Sequence, residues 1–181
     1  MAGFLEALTN FNNDINSFVW GKGLYLLLRE MVYPEFLGTA DMTTWATTFN
    51  LCGYQPLWKG GLLAGDLYAQ FNSRNAPWPL REELGGVTGR MRGYYSGRYI
   101  DASQICVQLE LRQHIISRFG CVAWVGAGTV FPSLKEFKWK NILPNYGIGL
   151  RVEFKHNINL RVDFGLGKDT AGFSFGFSEA F

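Results

Sequence analysis

A glycine-rich stretch, residues 84–99, contains the residue types in this sequence that are best suited to specific chemistry. It holds five glycines, three arginines and three tyrosines. Glycines allow positive φ angles in a tight loop, and arginines pair with carboxylates or stack on aromatic rings. The stretch lacks the Gly-x-x-x-x-Gly-Lys-Ser/Thr spacing of a phosphate-binding loop. It therefore favours a loop that forms ion pairs, and we call it the arginine loop.

Elsewhere, no set of residues has the spacing of a catalytic or metal site. The serines lack the Gly-x-Ser-x-Gly context of a hydrolase nucleophile, and the two histidines stand apart from other potential ligands. Cys52, Cys106 and Cys121 are an odd number without a Cys-x-x-Cys pair, which excludes a zinc ribbon or a thioredoxin-type motif. We therefore expect no catalytic residue, no metal and no cofactor, and a protein that is not an enzyme.

The composition excludes two further classes of protein. Seventeen basic residues nearly balance 15 acidic ones, a net charge of +2, which gives no reason to expect a nucleic-acid partner. The longest apolar runs, such as residues 24–28, are five residues long. A membrane-spanning helix needs about 20 mostly apolar residues, so none is predicted. The length of 181 residues favours a single domain.

The elements that must position the arginine loop are predicted to be β-strands. From residue 42 onward, apolar and polar side chains alternate with the two-residue period of a strand. The candidate strands are roughly 9–12 residues long, which is the length of a tilted membrane β-strand. There are seven of them, at residues 43–54, 61–72, 104–112, 119–131, 147–155, 158–167 and 172–181.

Alternation alone leaves open whether the apolar face meets lipid or a second sheet of a soluble sandwich. Three features favour lipid: the strands are long, aromatic residues cluster near strand ends, and charges of both signs share the polar face. On composition alone, the two interpretations are about equal. The charged residues concerned are Glu110, Arg112, Arg151, Glu153, Lys155, Arg161 and Asp163.

Residues 1–33 have a different pattern and are predicted to form a short amphipathic helix. Their apolar stripe repeats at spacings of four and three residues, through Phe4, Leu8, Phe11, Ile15 and Phe18. Residues 13–21 resemble the extreme N-terminus of sodium:alanine symporters, a similarity from which we carry over no function. We treat 1–33 as an N-terminal segment of foreign origin and 42–181 as the main domain.

The arginine loop carries a family resemblance. Met91-Arg92-Gly93-Tyr94 is similar to the Val-Arg-Gly-Phe/Tyr motif of the BamA/TamA-like bacterial surface antigen superfamily, and further motifs follow in the family's order through residues 97–101, 108–112, 125–131, 143–151 and 161–165. The resemblance implies an antiparallel transmembrane β-barrel of sixteen strands, of which this chain would be the C-terminal half. It also implies location in the bacterial outer membrane, and the insertion or translocation of proteins there.

The resemblance further implies that the loop folds into the barrel lumen, where Arg92 meets acidic residues of the wall. Asp163 is the first candidate partner and Glu153 the second, and the polar faces of the strands also offer Glu110. Ser174, Gly176 and the terminal Phe181 fit the signal that the barrel-assembly machinery recognises, although Glu179 stands where a hydrophobic residue is usual. The implied partners are outer-membrane lipid, client polypeptides and that machinery.

Seven strands are about half of the implied barrel, and an open sheet in hydrocarbon would leave two edges of unpaired backbone groups. Residues 1–6 show no basic region typical of a secretory signal. We therefore expect a C-terminal fragment. A complete eight-stranded barrel, which the length allows, and a chain that closes its sheet by self-association are the alternatives. Two alternatives stay open: the membrane-anchoring barrel of a secreted enzyme such as a patatin-like phospholipase, and a soluble β-rich binding module.

Overall fold

The computed structural model describes residues 4–11, 22–35, 43–74, 76–86, 90–155 and 158–177. These residues are mostly antiparallel β-sheet, so the predicted all-β class is confirmed. The strands are β1 (Phe4–Phe11), β2 (Gly23–Tyr33), β3 (Thr44–Trp58), β4 (Gly61–Asn72), β5 (Glu82–Glu83), β6 (Ile100–Asp101), β7 (Ser103–Ile116), β8 (Phe119–Phe131), β9 (Leu143–Lys155), β10 (Ile158–Gly167) and β11 (Thr170–Phe177).

One sheet contains nine of these strands, in the order β1-β2-β3-β4-β7-β8-β9-β10-β11, and β5 pairs only with β6. All seven strands predicted from the sequence are present, and β4, β8 and β10 have the predicted bounds. β3, β7 and β9 are longer than predicted because their ladders continue to the neighbouring turns. β3, for example, runs to Trp58, directly before a turn in which Gly60 has a φ of 82°.

The prediction of an N-terminal helix is wrong for the described part of residues 1–33, which forms β1 and β2. β2 pairs with β3 from Gly23 opposite Tyr54 to Tyr33 opposite Thr44, and β1 pairs with β2. The sheet thus satisfies the backbone groups that a helix would satisfy internally, and tertiary pairing overrides the local helical period. This ladder also crosses the predicted boundary between residues 33 and 42. The symporter-like stretch, 13–21, lies outside the described residues.

The two faces of the main sheet differ in polarity and in burial: the polar face is buried and the apolar face is exposed. Along β7 the inward residues, from Gln104 to Arg112, are polar except for Cys106, and all are buried, whereas Val107 and Leu109 on the other face are about half exposed. On β11, Phe173 is 71% exposed. A soluble sheet covers its apolar face with another layer. In the described part of this chain the ionic face is covered instead.

The sheet is open in the described residues, because β1 and β11 stand at its two ends and no ladder joins them. No helix in the same residues is long and apolar enough to cross a membrane.

The ionic face is covered by a long connection between β4 and β7. These two strands are direct neighbours in the sheet, from Gly61 opposite Gln113 to Gln70 opposite Gln104. The 30 residues between them, 73–102, include a 3-10 turn at Trp78–Leu80, the β5–β6 pair and the arginine loop. This placement brings the loop against β4 and β7–β10.

Candidate functional site

The base of the arginine loop is a short hairpin. β5 and β6 pair through Glu82 opposite Asp101 and Glu83 opposite Ile100. The Glu83 carboxylate accepts hydrogen bonds from the Ser96 hydroxyl and the Gly97 backbone N–H, each at 2.9 Å. These contacts hold the two ends of the loop together, so that the residues between them project over the sheet.

Arg92 lies at the centre of the ionic face. Its Nη1 donates to Asp163 Oδ2 on β10 at 2.8 Å, and its Nη2 donates to Glu110 Oε2 on β7 at 2.5 Å. The guanidinium lies 3.6 Å from the ring centroid of Trp124 on β8. The Arg92 carbonyl accepts a hydrogen bond from the side-chain amide of Asn145 on β9. One residue of the loop therefore contacts four consecutive strands of the wall.

The two carboxylates are shared with arginines of the wall itself. Asp163 also accepts from Arg151 Nη1 at 2.6 Å, and Glu110 accepts from Arg112 Nε at 2.7 Å. Both carboxylates are fully buried. Buried charges are tolerated in a protein when they are paired and hydrogen-bonded, and removing one partner of such a pair is strongly destabilising. The network therefore holds the loop in place, and the loss of any one of its charges would destabilise the fold.

The structure brings Asp163 and Glu110 to Arg92, but not Glu153. Asp163 stands opposite Gly149 of β9 in the ladder. Glu153 lies four residues further along β9, which at about 3.3 Å per residue is roughly 13 Å away. Its backbone N–H donates to the carbonyl of Arg118, in the turn that joins β7 to β8.

Gly93 allows the closest approach between the loop and the wall. Its φ is 100°, a conformation that side chains disfavour, and an added Cβ would lie 2.5 Å from the carbonyl carbon of Gly165 on β10. The Gly93 carbonyl accepts a hydrogen bond from the Thr170 hydroxyl at 2.8 Å. Backbone contact between two glycines thus places Arg92 beside Asp163.

Tyr94 and Met91, the flanking residues of the motif, attach the loop to the same wall. The Tyr94 hydroxyl donates to the Pro144 carbonyl at 2.6 Å and accepts from the Lys168 backbone N–H at 2.7 Å. Burial raises the pKa of the Tyr94 hydroxyl. Met91 packs in a buried apolar cluster together with Leu84, Tyr94, Cys106 and Leu143. Each motif residue therefore contacts the wall differently. Met91 makes apolar contacts, Arg92 ion pairs, Gly93 backbone contacts and Tyr94 hydrogen bonds through its hydroxyl.

Sequence reasoning missed a second arginine contact. Arg90 Nε and Nη2 donate to the two oxygens of Asp66 on β4, at 2.6 and 3.2 Å. The guanidinium lies 4.3 Å from the ring centroid of Tyr68. Asp66 also accepts from the Asn50 side chain at 2.6 Å. Asp66 stands on the polar face of β4, so the alternating pattern could have identified it as a partner for an arginine. The family motif contains Arg92 and not Arg90.

The predicted insertion-signal residues lie on the last described strand. Ser174 stands opposite Asp163, and Gly176 stands opposite Arg161. A Cβ at Gly176 would come within 3.0 Å of an Arg161 nitrogen, so the glycine leaves room for that guanidinium. Phe181 lies outside the described residues.

The site is built for holding a loop in place. Guanidinium–carboxylate contacts are directional and strong in a buried setting, and the loop makes them to three strands, β4, β7 and β10. Trp124 on β8 adds a cation–π contact, and Asn145 on β9 adds a hydrogen bond. Comparison of the sequence with models of protein families finds no match, and comparison with curated proteins finds none either.

Proposed function

We propose that this chain is a non-enzymatic outer-membrane β-barrel protein of the bacterial surface antigen type, acting in the assembly or translocation of proteins at that membrane. The observation that carries the proposal is the inverted distribution of side chains, with buried arginines and carboxylates on one face and exposed apolar residues on the other. This distribution fits a sheet with lipid outside and an ionic lumen inside.

The arginine loop would serve as the plug of this lumen. Its contacts with Glu110 and Asp163 hold it against the ionic face, close to β11, the strand at one end of the sheet. A client strand could pair with such an edge, since an unpaired strand is a template for β-addition. In this proposal the loop keeps the last strands in register while the seam next to β11 opens.

A pair of matched isoleucines tests the membrane assignment. Ile148 lies in the middle of β9 and is 66% exposed, and Ile116 lies at the end of β7 and is 68% exposed. In water, lysine at either position would be harmless. In a bilayer, we expect Ile148→Lys to cost about 2–4 kcal/mol and Ile116→Lys about 0–1 kcal/mol, because the cost of a cation falls toward the interface.

The measurement is the fraction of chain that enters phosphatidylcholine vesicles and becomes protected from protease. We expect Ile148→Lys to lower this fraction strongly, while Ile116→Lys enters like the natural chain. A natural chain that stays monodisperse without detergent and does not enter vesicles would refute the membrane assignment and favour a soluble binding module.

A second measurement separates assembly from mere anchoring. Vesicles that contain the chain should accelerate the folding of a urea-unfolded outer-membrane barrel, compared with vesicles that contain an unrelated small barrel. Insertion without such acceleration would instead fit the membrane anchor of a secreted enzyme.

A further inference from the structure

A groove on the outer, apolar side of the sheet lies where β7 begins and β8 ends. Its floor is two cross-strand pairs, Ile105 opposite Thr129 and Val107 opposite Ala127. Ala127 has a smaller side chain than Val125, two residues before it on the same face, and so leaves a depression there. The cavity measures about 420 Å³, which is within the range of pockets that hold small ligands, about 300–1,000 Å³.

The walls of the groove come from the connection between β8 and β9. This segment, residues 132–142, contains 3-10 turns at Leu134–Glu136 and Trp139–Asn141. Positions i and i+3 of a 3-10 turn lie on one side, and the lining residues have this spacing: Leu134 with Phe137, and Trp139 with Ile142. Phe137 packs edge-on against Trp139 and against Phe131, at centroid distances of 5.2 and 5.5 Å.

Three lysines each directly follow a residue that lines the groove, and we call these lysines its rim. Lys135, Lys138 and Lys140 come from the same segment and are exposed. Glu136 is the segment's only acidic residue, and it forms a salt bridge with Arg74 at 3.1 Å. The three lysines therefore present their charge beside an apolar channel. Lysines near a membrane surface attract anionic lipids, each contributing about 1 kcal/mol.

We infer that this groove binds an anionic phospholipid, with an acyl chain against the floor and the phosphate among the three lysines. The inference rests on the proposed membrane location. Charge decides between the occupants: a second copy of this chain would bring its own three lysines to the rim, whereas a phosphate headgroup neutralises them. The exposed Trp139 also fits the interfacial level at which tryptophan side chains lie in membranes.

The test uses the full chain inserted into phosphatidylcholine vesicles that contain phosphatidylglycerol with a nitroxide on its acyl chain. Electron spin resonance then reports the motionally restricted fraction of this lipid, relative to labelled phosphatidylcholine. For the natural chain we expect a preference on the order of a hundredfold for phosphatidylglycerol, because three lysines contribute about 1 kcal/mol each. The variant Lys135→Gln/Lys138→Gln/Lys140→Gln should lose this preference and still insert.

Two further variants make the test specific. Lys22→Gln/Lys59→Gln/Lys168→Gln removes the same total charge from three other exposed lysines and should keep the preference. Ala127→Phe fills the floor without changing any charge and should abolish the preference.

The inference is wrong if the inserted chain shows no preference, if both triple variants lose it equally, or if Ala127→Phe retains it. Failure of the natural chain to enter phosphatidylcholine vesicles would overturn the proposed function as well, so the two failures are distinguishable.

Discussion

The two ends of one short stretch, Arg90 and Arg92, bind the wall in different ways. The Arg92 side chain is 1% exposed and lies between two fully buried carboxylates, with an aromatic ring against it. The Arg90 side chain is 19% exposed and pairs with the single carboxylate of Asp66. The first contact joins β7, β8, β9 and β10, whereas the second joins the loop to β4, with Asn50 of β3 behind it.

This difference indicates that the wall holds the loop more tightly at Arg92 than at Arg90. We call the Arg92 end the firm side of the loop and the Arg90 end its weaker side. A charge buried among several partners is costly to release. Asp66 is as buried as Glu110 and Asp163, but the partly exposed guanidinium of Arg90 can be replaced by water. We therefore expect local opening to begin at Arg90, while Arg92 keeps its place. Under the proposed function, in which the sheet opens near β11, this arrangement would keep the strands next to the seam in register until the loop itself is displaced.

Replacing each arginine by alanine is the strongest test of this asymmetry. We expect Arg92→Ala to lower the free energy of unfolding by about 3–5 kcal/mol, because the buried carboxylates lose a shared cation. Arg90→Ala should cost less, about 2 kcal/mol, because the buried Asp66 keeps its hydrogen bond from Asn50 and water can take the place of the partly exposed guanidinium. Urea unfolding in detergent micelles, followed by tryptophan fluorescence, measures both.

A double-mutant cycle provides the control for the larger effect. If Arg92 and Asp163 act as a pair, Arg92→Ala combined with Asp163→Asn should cost clearly less than the sum of the two single changes. Additive effects, or equal losses at Arg90 and Arg92, would contradict a firm side centred on Arg92.

A matched pair of glycines tests whether backbone contact contributes to the firm side. Gly93 and Gly97 both have positive φ, but a Cβ at Gly97 would meet nothing within 4 Å, whereas at Gly93 it would meet Gly165. Gly97→Ala should cost about 1 kcal/mol from backbone strain, and Gly93→Ala about 3 kcal/mol from strain and overpacking together. The same unfolding measurement compares them, and similar costs would show that the approach to Gly165 is unimportant.

Much of the wall could be predicted from sequence because its two faces meet different surroundings. Alternation is a strong signal when one face is ionic and the other apolar, and it located β4, β8 and β10 at their observed bounds. The same face pattern placed Glu110 and Asp163 where a guanidinium could reach them. Glu153 shares that face, but the pattern carries no information on position along the strand, which depends on the ladder register.

Two features could not be predicted from local sequence patterns: the strands β1 and β2, and the contact between Arg90 and Asp66. The helical period of residues 4–18 predicts a helix, whereas the backbone hydrogen bonds of β1 and β2 come from each other and from β3. Arg90 and Asp66 are 24 residues apart, and their contact depends on how the arginine loop crosses the sheet, which no periodicity encodes. Loop paths and strand partners are tertiary properties.

The smallest expected effect concerns Glu82, on the weaker side of the loop, whose carboxylate accepts a hydrogen bond from Tyr68 at 3.4 Å. Burial raises the pKa of Glu82 above its ordinary value, against that hydrogen bond, which lowers it. A carboxyl with a raised pKa stabilises the fold most below its unfolded pKa, and this contribution is lost as the pH rises through the folded pKa. Glu82→Gln should therefore be slightly more stable than the natural chain at pH 7 to 8, and the difference should vanish on acidification. Urea unfolding of both proteins from pH 8 down to acid pH measures the difference, with Glu35→Gln, the replacement of an exposed carboxyl, as the control. A pH-independent difference would mean that the charge of Glu82 does not weaken this side of the loop, and the asymmetry would then rest on Arg92 and Gly93 alone.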